Sequence, residues 1–266
     1  MKTLIVIPAR YASSRFPGKP LHPINGVSML ARTAKSAQRA GEATGARVVI
    51  ATDDDRIVAH AKEIGVESVM TDPDLPSGTD RCRAAAEKAA PDADFIVNLQ
   101  GDAPFTPPAH VRALIDNAAK GDVVTPVIRL GWAELENLRE RKRTTPFSGT
   151  TCIRGADGRA IWFSKNIIPA IRAEKKMREA GGLSPVLQHV GLYGYRREAL
   201  ARIAKLPMSS YEELEGLEQL RFLQNGLSVF AVDVEASKLP SAGIDTPEDA
   251  AHATEMLRAH GDPHFA

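Results

Sequence analysis

Cysteine is scarce. Cys82 and Cys152 are the two in 266 residues, they stand in unrelated contexts, and neither has the close partner that a zinc site or a redox pair needs. Both are expected as plain reduced thiols. An excess of charge of one sign is also missing: 34 Lys and Arg against 33 Asp and Glu leave a formal net charge of +1, which gives no phosphate-tracking surface and argues against nucleic acid as a partner. Long apolar runs are absent too. The first, residues 4–7, stops at Pro8, too short for a signal-peptide core, and nothing later approaches the ~20 apolar residues of a membrane span. These absences predict a soluble, cytoplasmic protein without membrane insertion. There is no internal repeat and no low-complexity segment.

What is present is enough to make a core: 43% of the residues are hydrophobic, suited to one α/β domain over residues 1–266. Strand-like runs at 4–7, 48–51, 67–70, 95–99 and 123–127 alternate with helical stretches near 29–39, 55–64, 80–90 and 109–120. That alternation predicts an α/β fold with a doubly wound, mostly parallel sheet. In such sheets ligands lie beyond the carboxyl ends of the strands. The chemically loaded segments sit there: the loop after the first strand, Thr52-Asp53 after the second, and Gln100-Gly101-Asp102 after the fourth.

From about residue 131 to 188 the pattern changes. Segments 150–154 and 160–164 flank Asp157-Gly158, a hairpin turn pair, and predict an inserted antiparallel ribbon. The charged run 139–143 reads as a solvated loop rather than an anion site. Beyond it, 189–195 reads as a strand, 211–224 as a helix and 228–232 as a last strand. A closing helix over 247–259 takes Asp245 or Thr246 as its cap.

The opening loop carries Arg10, Arg15 and Lys19 within ten residues, together with Ser13, Ser14 and Gly18. Anionic oxygens would satisfy all of these groups, although a solvated basic turn explains the charges equally well. The loop is not a Walker A motif, because no glycine stands five residues before Gly18 and Pro20 follows Lys19. Asp102 is read as a ligand ahead of a helix cap, since the next helix starts several residues later. Asp245, before Pro247-Glu248-Asp249, reads alone as a cap. Together the two carboxylates make a plausible Mg²⁺ pair, for Mg²⁺ takes one or two protein carboxylates plus phosphate oxygens and water. Ser77-Gly78-Thr79-Asp80-Arg81 leads into a helix and fits either phosphate or base contacts or a simple N-cap. His189, Tyr193 and Tyr195 share one side of a period-two strand, where a lone histidine is more often a satisfied core residue. Glu218 and Gln219 lie between leucines on a helix, a pattern that usually means solvent exposure.

Seven segments in register resemble the 3-deoxy-manno-octulosonate (Kdo) cytidylyltransferases, sugar nucleotidyltransferases related to the sialic acid activating enzymes. They are Pro8-Ala9-Arg10-Tyr11-Ala12-Ser13-Ser14-Arg15 with Pro17-Gly18-Lys19-Pro20; Ala51-Thr52-Asp53; Ser77-Gly78-Thr79-Asp80-Arg81; Gln100-Gly101-Asp102; His189-Val190-Gly191-Leu192-Tyr193-Gly194-Tyr195; Leu217-Glu218-Gln219-Leu220-Arg221; and Asp245-Thr246-Pro247-Glu248-Asp249. The resemblance implies a Rossmann-like nucleotide-diphospho-sugar transferase fold. It also implies an enzyme of the EC 2.7.7 class that transfers CMP from CTP to a 2-keto-3-deoxy sugar acid, releases pyrophosphate and serves lipopolysaccharide biosynthesis. Arg10, Lys19 and Asp102 would then be catalytic. CTP would be bound by Ala9, Arg10, Ser13, Arg15, Lys19, Asp53, Ser77, Gly78, Thr79 and Arg81, and Mg²⁺ by Asp102 and Asp245. Gln100, Arg172, His189, Tyr193, Glu218 and Gln219 would face the sugar acid. A homodimer joined through the 131–188 insertion is also implied.

Departures from that pattern cluster on the acceptor side. Ala103 stands for a usual Glu and Thr151 for a Lys, Ala170-Ile171-Arg172 stands for Trp-Asp-Arg, and Gln188 stands for an Arg before His189. Such contacts set specificity, so another keto-sugar acid or a phosphonate stays open as acceptor. A non-catalytic nucleotide-binding paralogue would have lost phosphate or metal residues, and none is lost. An enzyme acting on a sugar 1-phosphate would need a glycine-rich opening that this chain lacks.

Overall fold

The computed structural model describes residues 1–12, 16–237, 239 and 243–265. Its first half alternates strand and helix: β1 (Thr3–Pro8), a two-residue ribbon β2 (Pro23–Ile24) and β3 (Val27–Ser28), α1 (Met29–Thr44), β4 (Arg47–Thr52), α2 (Asp55–Glu63), β5 (Glu67–Met70), α3 (Gly78–Ala89), β6 (Phe95–Asn98), α4 (Pro108–Asp116) and β7 (Val123–Arg129). Then come α5 (Trp132–Thr144), β8 (Thr151–Arg154), β9 (Ala160–Ser164), α6 (Glu174–Glu179), β10 (Leu187–His189), β11 (Tyr193–Arg196), α7 (Arg197–Ile203), α8 (Ser210–Glu215), α9 (Glu218–Gln224), β12 (Val229–Asp233) and α10 (Pro247–His260).

Apart from the β2–β3 ribbon, the strands form one sheet in the order β5-β4-β1-β6-β11-β7-β10-β8-β9, with β12 on the other edge of β7. β11, β10 and β9 run against the rest. Apolar residues of β1 serve both faces, because alternate side chains point to opposite sides. Ile5 and Ile7 pack with Leu30, Val111 and Leu114 on one face, and Leu4 and Val6 pack with Cys82, Ala85 and Ile96 on the other. Helices on both faces make the sheet doubly wound. A third cluster, with Phe16, Met29, Phe105, Ile244 and Leu257, brings α10 under the strand ends.

Four sequence readings change. The 139–143 run is the last part of α5 rather than a loop. The strand expected over 189–195 is two strands: β10 and β11 follow the same edge of β7, but their pairing slips by two residues between His189 opposite Val127 and Gly194 opposite Val124. β6 pairs with β11 and β8 with β10, so the sheet forks at residues 190–192. The helix expected over 211–224 is α8 and α9, divided at Gly216, whose φ of 61° is the left-handed conformation that ends a helix. The last helix is capped by Thr246, which accepts from the Asp249 amide while the Asp249 carboxylate accepts from the Thr246 amide, so Asp245 is freed from capping. Cys82 and Cys152 are buried free thiols, pushed up in pKa by that burial, Cys152 to about 12. Among the described residues no helix is long and apolar enough to cross a membrane.

Candidate active site

β1 and β6 end side by side, and the chain beyond them makes a cleft of about 380 Å³ lined by Ala9, Arg10, Lys19, Gly78, Gln100 and Asp102. The two exits touch at Gly101, where a Cβ would stand 2.6 Å from the Pro8 carbonyl oxygen; only glycine fits there. The Ala9 amide donates to Ala51 at 2.9 Å, extending β1 into the loop. Gly18, at φ 71°, starts a single 3-10 turn over Lys19–Leu21, and its amide donates to the Tyr11 carbonyl at 3.0 Å. That closure turns Lys19 inward. Arg10 donates through Nη2 to the Leu75 carbonyl, which ties it to the loop before α3. Ser13 and Arg15, expected to bind CTP, lie outside the described residues.

Lys19 reaches two carboxylates at once: its Nζ is 2.8 Å from Asp102 Oδ2 and 3.2 Å from Asp245 Oδ1. Burial works against the ammonium, but Asp102 and Asp245 outweigh it and its pKa is raised. The Ile244 amide donates to the Asp102 carbonyl at 2.9 Å, fixing the two acidic residues next to each other. Asp102 does not cap α4, whose N-cap is Pro107. Two carboxylates converging on a single cation are a donor set that fits Mg²⁺, although no cluster of three potential metal ligands occurs among the described residues.

Arg81 is 1% exposed. It pairs with Asp53 at 2.9 Å and donates to the Thr71 hydroxyl. Burial lowers its pKa, and Asp53 pulls the other way. Asp53 therefore stands behind Arg81 rather than in the cleft lining, and unpairing a buried charge of this kind costs about 3–5 kcal/mol. Ser77 is the N-cap of α3, accepting from the Asp80 amide at 3.0 Å. Thr79 points elsewhere: its hydroxyl donates to Glu218 at 2.8 Å.

That bond leads into a second cleft, of about 390 Å³, lined by Lys165, Gln188, His189, Tyr193, Glu218 and Gln219 among others. Glu218 and Gln219 are thus not a solvated pair. Gln219 is 2% exposed and accepts from the Tyr193 hydroxyl at 2.9 Å, while its Nε2 has no partner among the described residues. Burial raises the pKa of Glu218 against the opposing Thr79 hydroxyl and Arg221. His189 Nε2 lies 2.8 Å from the Thr125 hydroxyl. Burial first, and Lys165 second, bring its pKa down to about 3, so the ring is neutral. The rings of His189 and Tyr193 are 5.4 Å apart and Tyr193 stacks on Tyr195 at 6.0 Å. The two-residue slip keeps them on one side, because an even shift preserves the alternation.

Arg172 is exposed and lines neither cleft. Thr151 is buried, donating to the Asn166 carbonyl at 2.6 Å and accepting from the Ile168 amide at 3.1 Å. Lys165 and Lys142 were missed by sequence reasoning. The signal for Lys165 was a cation ending the apolar strand Ile161-Trp162-Phe163-Ser164; Lys142 was hidden in the charged run. A larger cavity of about 640 Å³, near Arg129, Arg154 and Phe230, contains none of the expected site residues.

A family model described as cytidylyltransferase matches residues 4–233. The chain belongs to the cytidylyltransferase family. It is 38% identical to a 3-deoxy-manno-octulosonate cytidylyltransferase of Maricaulis maris, over 98% of this chain and 99% of the relative. To the protein of the same name from Bacteroides thetaiotaomicron it is 41% identical, over 97% and 99%. A solved CMP:2-keto-3-deoxy-manno-octonic acid synthetase, complexed with CTP, superposes with a TM-score of 0.81 at 33% identity, covering 97% of this chain and 99% of that one. This cytidylyltransferase is therefore a nucleotidyltransferase enzyme with the α/β fold of that synthetase.

Proposed function

We propose that the protein transfers CMP from CTP to Kdo, releases pyrophosphate, and works with Mg²⁺ as a homodimer. One observation carries this reading: the two clefts share a wall. Thr79, in the first turn of the helix that borders the cationic cleft, hydrogen-bonds Glu218 in the neighbouring one. Gln100 lies against Gly78, within 3.2 Å of where a Cβ would stand. A triphosphate beside Arg10 and Lys19 and a polyhydroxylated acid beside His189, Tyr193 and Gln219 would then abut. Relatives named 3-deoxy-manno-octulosonate cytidylyltransferase support the acceptor.

The sugar hydroxyl would attack the α-phosphorus in line, so positioning and charge neutralisation do most of the work. Arg10 and Lys19 would hold the triphosphate, and Lys19 would stabilise the departing pyrophosphate. The first turn of α3, with Ser77, Gly78 and Thr79, and the Ala9 backbone would hold the cytidine. Asp102 and Asp245 would hold Mg²⁺, which supplies positive charge at the phosphates and acidifies the attacking hydroxyl. Neutral His189, with Tyr193 and Gln219, offers a hydrogen-bonded row for sugar hydroxyls. The homodimer reading gains support from Phe147, Ile161, Met177 and Leu183, large apolar residues of the 131–188 stretch that are exposed.

The test is pyrophosphate release with CTP, Mg²⁺ and a panel of Kdo, other keto-sugar acids and phosphonates. Kdo is expected to give the highest kcat/KM. Preferred use of another acid would reassign the acceptor, as the neutral Gln188 in the acceptor cleft allows, and CTP binding without release from any acceptor would make the chain a non-catalytic paralogue.

A further inference from the structure

An acid acceptor needs a counter-charge, and the acceptor cleft has few groups that supply one. His189 is neutral, Gln188 carries no charge, and Arg172 lies outside. Glu218 is a carboxyl group, of the wrong sign for binding an anion. The remaining cation in the lining is Lys165, at the end of β9.

Lys165 is set up for a visitor. Its main chain is fully engaged: the amide donates to Glu215 at 2.7 Å and the carbonyl accepts from Lys142 Nζ. Glu215, whose charge acts on the Lys165 ammonium, also accepts from the Ser164 hydroxyl at 2.8 Å. Lys142 is bound to the Ser148 and Gly149 carbonyls as well, so it holds the cleft rim to the end of β9. The Lys165 ammonium, by contrast, has no hydrogen bond and no ion pair within 4.0 Å among the described residues. It is half-buried, and that burial lowers its pKa while Glu215 raises it. A partly desolvated ammonium without a partner gains from a carboxylate more than a fully solvated one does.

We propose that Lys165 binds the carboxylate of the acceptor and is the residue through which the cleft selects an acid. The assignment rests on the proposed transfer to a sugar acid and adds to it the residue that recognises the acid group.

The experiment compares wild type, Lys165→Met and Lys165→Arg with CTP and either Kdo or its neutral carboxamide. Losing a charge-assisted contact is expected to raise the KM for Kdo by about tenfold or more in Lys165→Met, to leave the KM for CTP unchanged, and to erase the preference for acid over amide. Lys165→Arg is expected to keep that preference. A Lys165→Met enzyme that prefers the acid as wild type does overturns the assignment. If wild type releases no pyrophosphate with Kdo, the proposed transfer fails. Lys165 is then judged by calorimetric titration of Kdo into CMP-loaded wild type and Lys165→Met, where weaker binding in the variant supports the assignment and equal heats overturn it.

Discussion

In the proposed reading Lys19, Asp102 and Asp245 form the chemical centre, and each has a different structural hold. Lys19 is aimed by the left-handed Gly18, Asp102 by the close approach at Gly101, and Asp245 by the Ile244 amide. Asp102 is only partly buried and supports no helix, so Asp102→Asn is expected to leave the thermal midpoint nearly unchanged while lowering kcat by on the order of a hundredfold or more. Near-normal turnover would remove Asp102 from the metal pair. Asp102 was legible because a strand-end position needs only an apolar run and a breaker to be seen, whereas Asp245 read alone as a helix cap and stood out only beside Asp102. Glu218 and Gln219 were not: polar residues between leucines look the same whether they face water or a polar cleft. The segment offered Ser77 or Thr79 as an N-cap; Ser77 takes that place, its hydroxyl accepting from the Asp80 amide and donating to the Asp80 carboxylate.

At the scale of elements, α5 and α6 are joined by charge. Arg139 donates to both oxygens of Glu174, at 2.8 and 2.7 Å, and Arg178 Nε adds a bond at 2.9 Å. Arg178 also stacks over Trp132 at 4.6 Å. Hydrogen bonds from Arg139 and Arg178 lower the Glu174 pKa from 4.5 to about 2. A carboxylate depressed in the folded state stabilises above its unfolded value and loses that contribution as pH falls through the folded one. Glu174→Gln should therefore melt below wild type at neutral pH, and the gap should close between pH 4.5 and about 2; thermal melts across pH check this, and a gap independent of pH would refute it. The helix α5 escaped sequence reading because it buries little, with only Leu135 and Leu138 inside. Two buried positions among thirteen residues set no clear period.

For the whole molecule, the parallel half of the sheet was readable because strands buried on both faces appear as continuous apolar runs, as β1 and β6 do. The fork was not readable. Residues 189–195 look like one strand, and the break follows from β6 and β8 competing for the same edge, a tertiary fact with no local trace. The exposed apolar residues of the 131–188 stretch lead to an expected light-scattering mass twice the 28.7 kDa of the chain, and a monomeric mass at working concentration would rule out the dimer.

The fork has a further consequence for how this enzyme could change its diet. Gly191 sits in it, lining the proposed acceptor cleft, and a Cβ there would meet nothing within 4 Å. β10 and β11 keep their ladders on either side of it. Bulk added at this one position would shrink the acceptor seat while every strand pairing stayed intact, so the range of acids accepted is separable from the stability of the sheet that holds them.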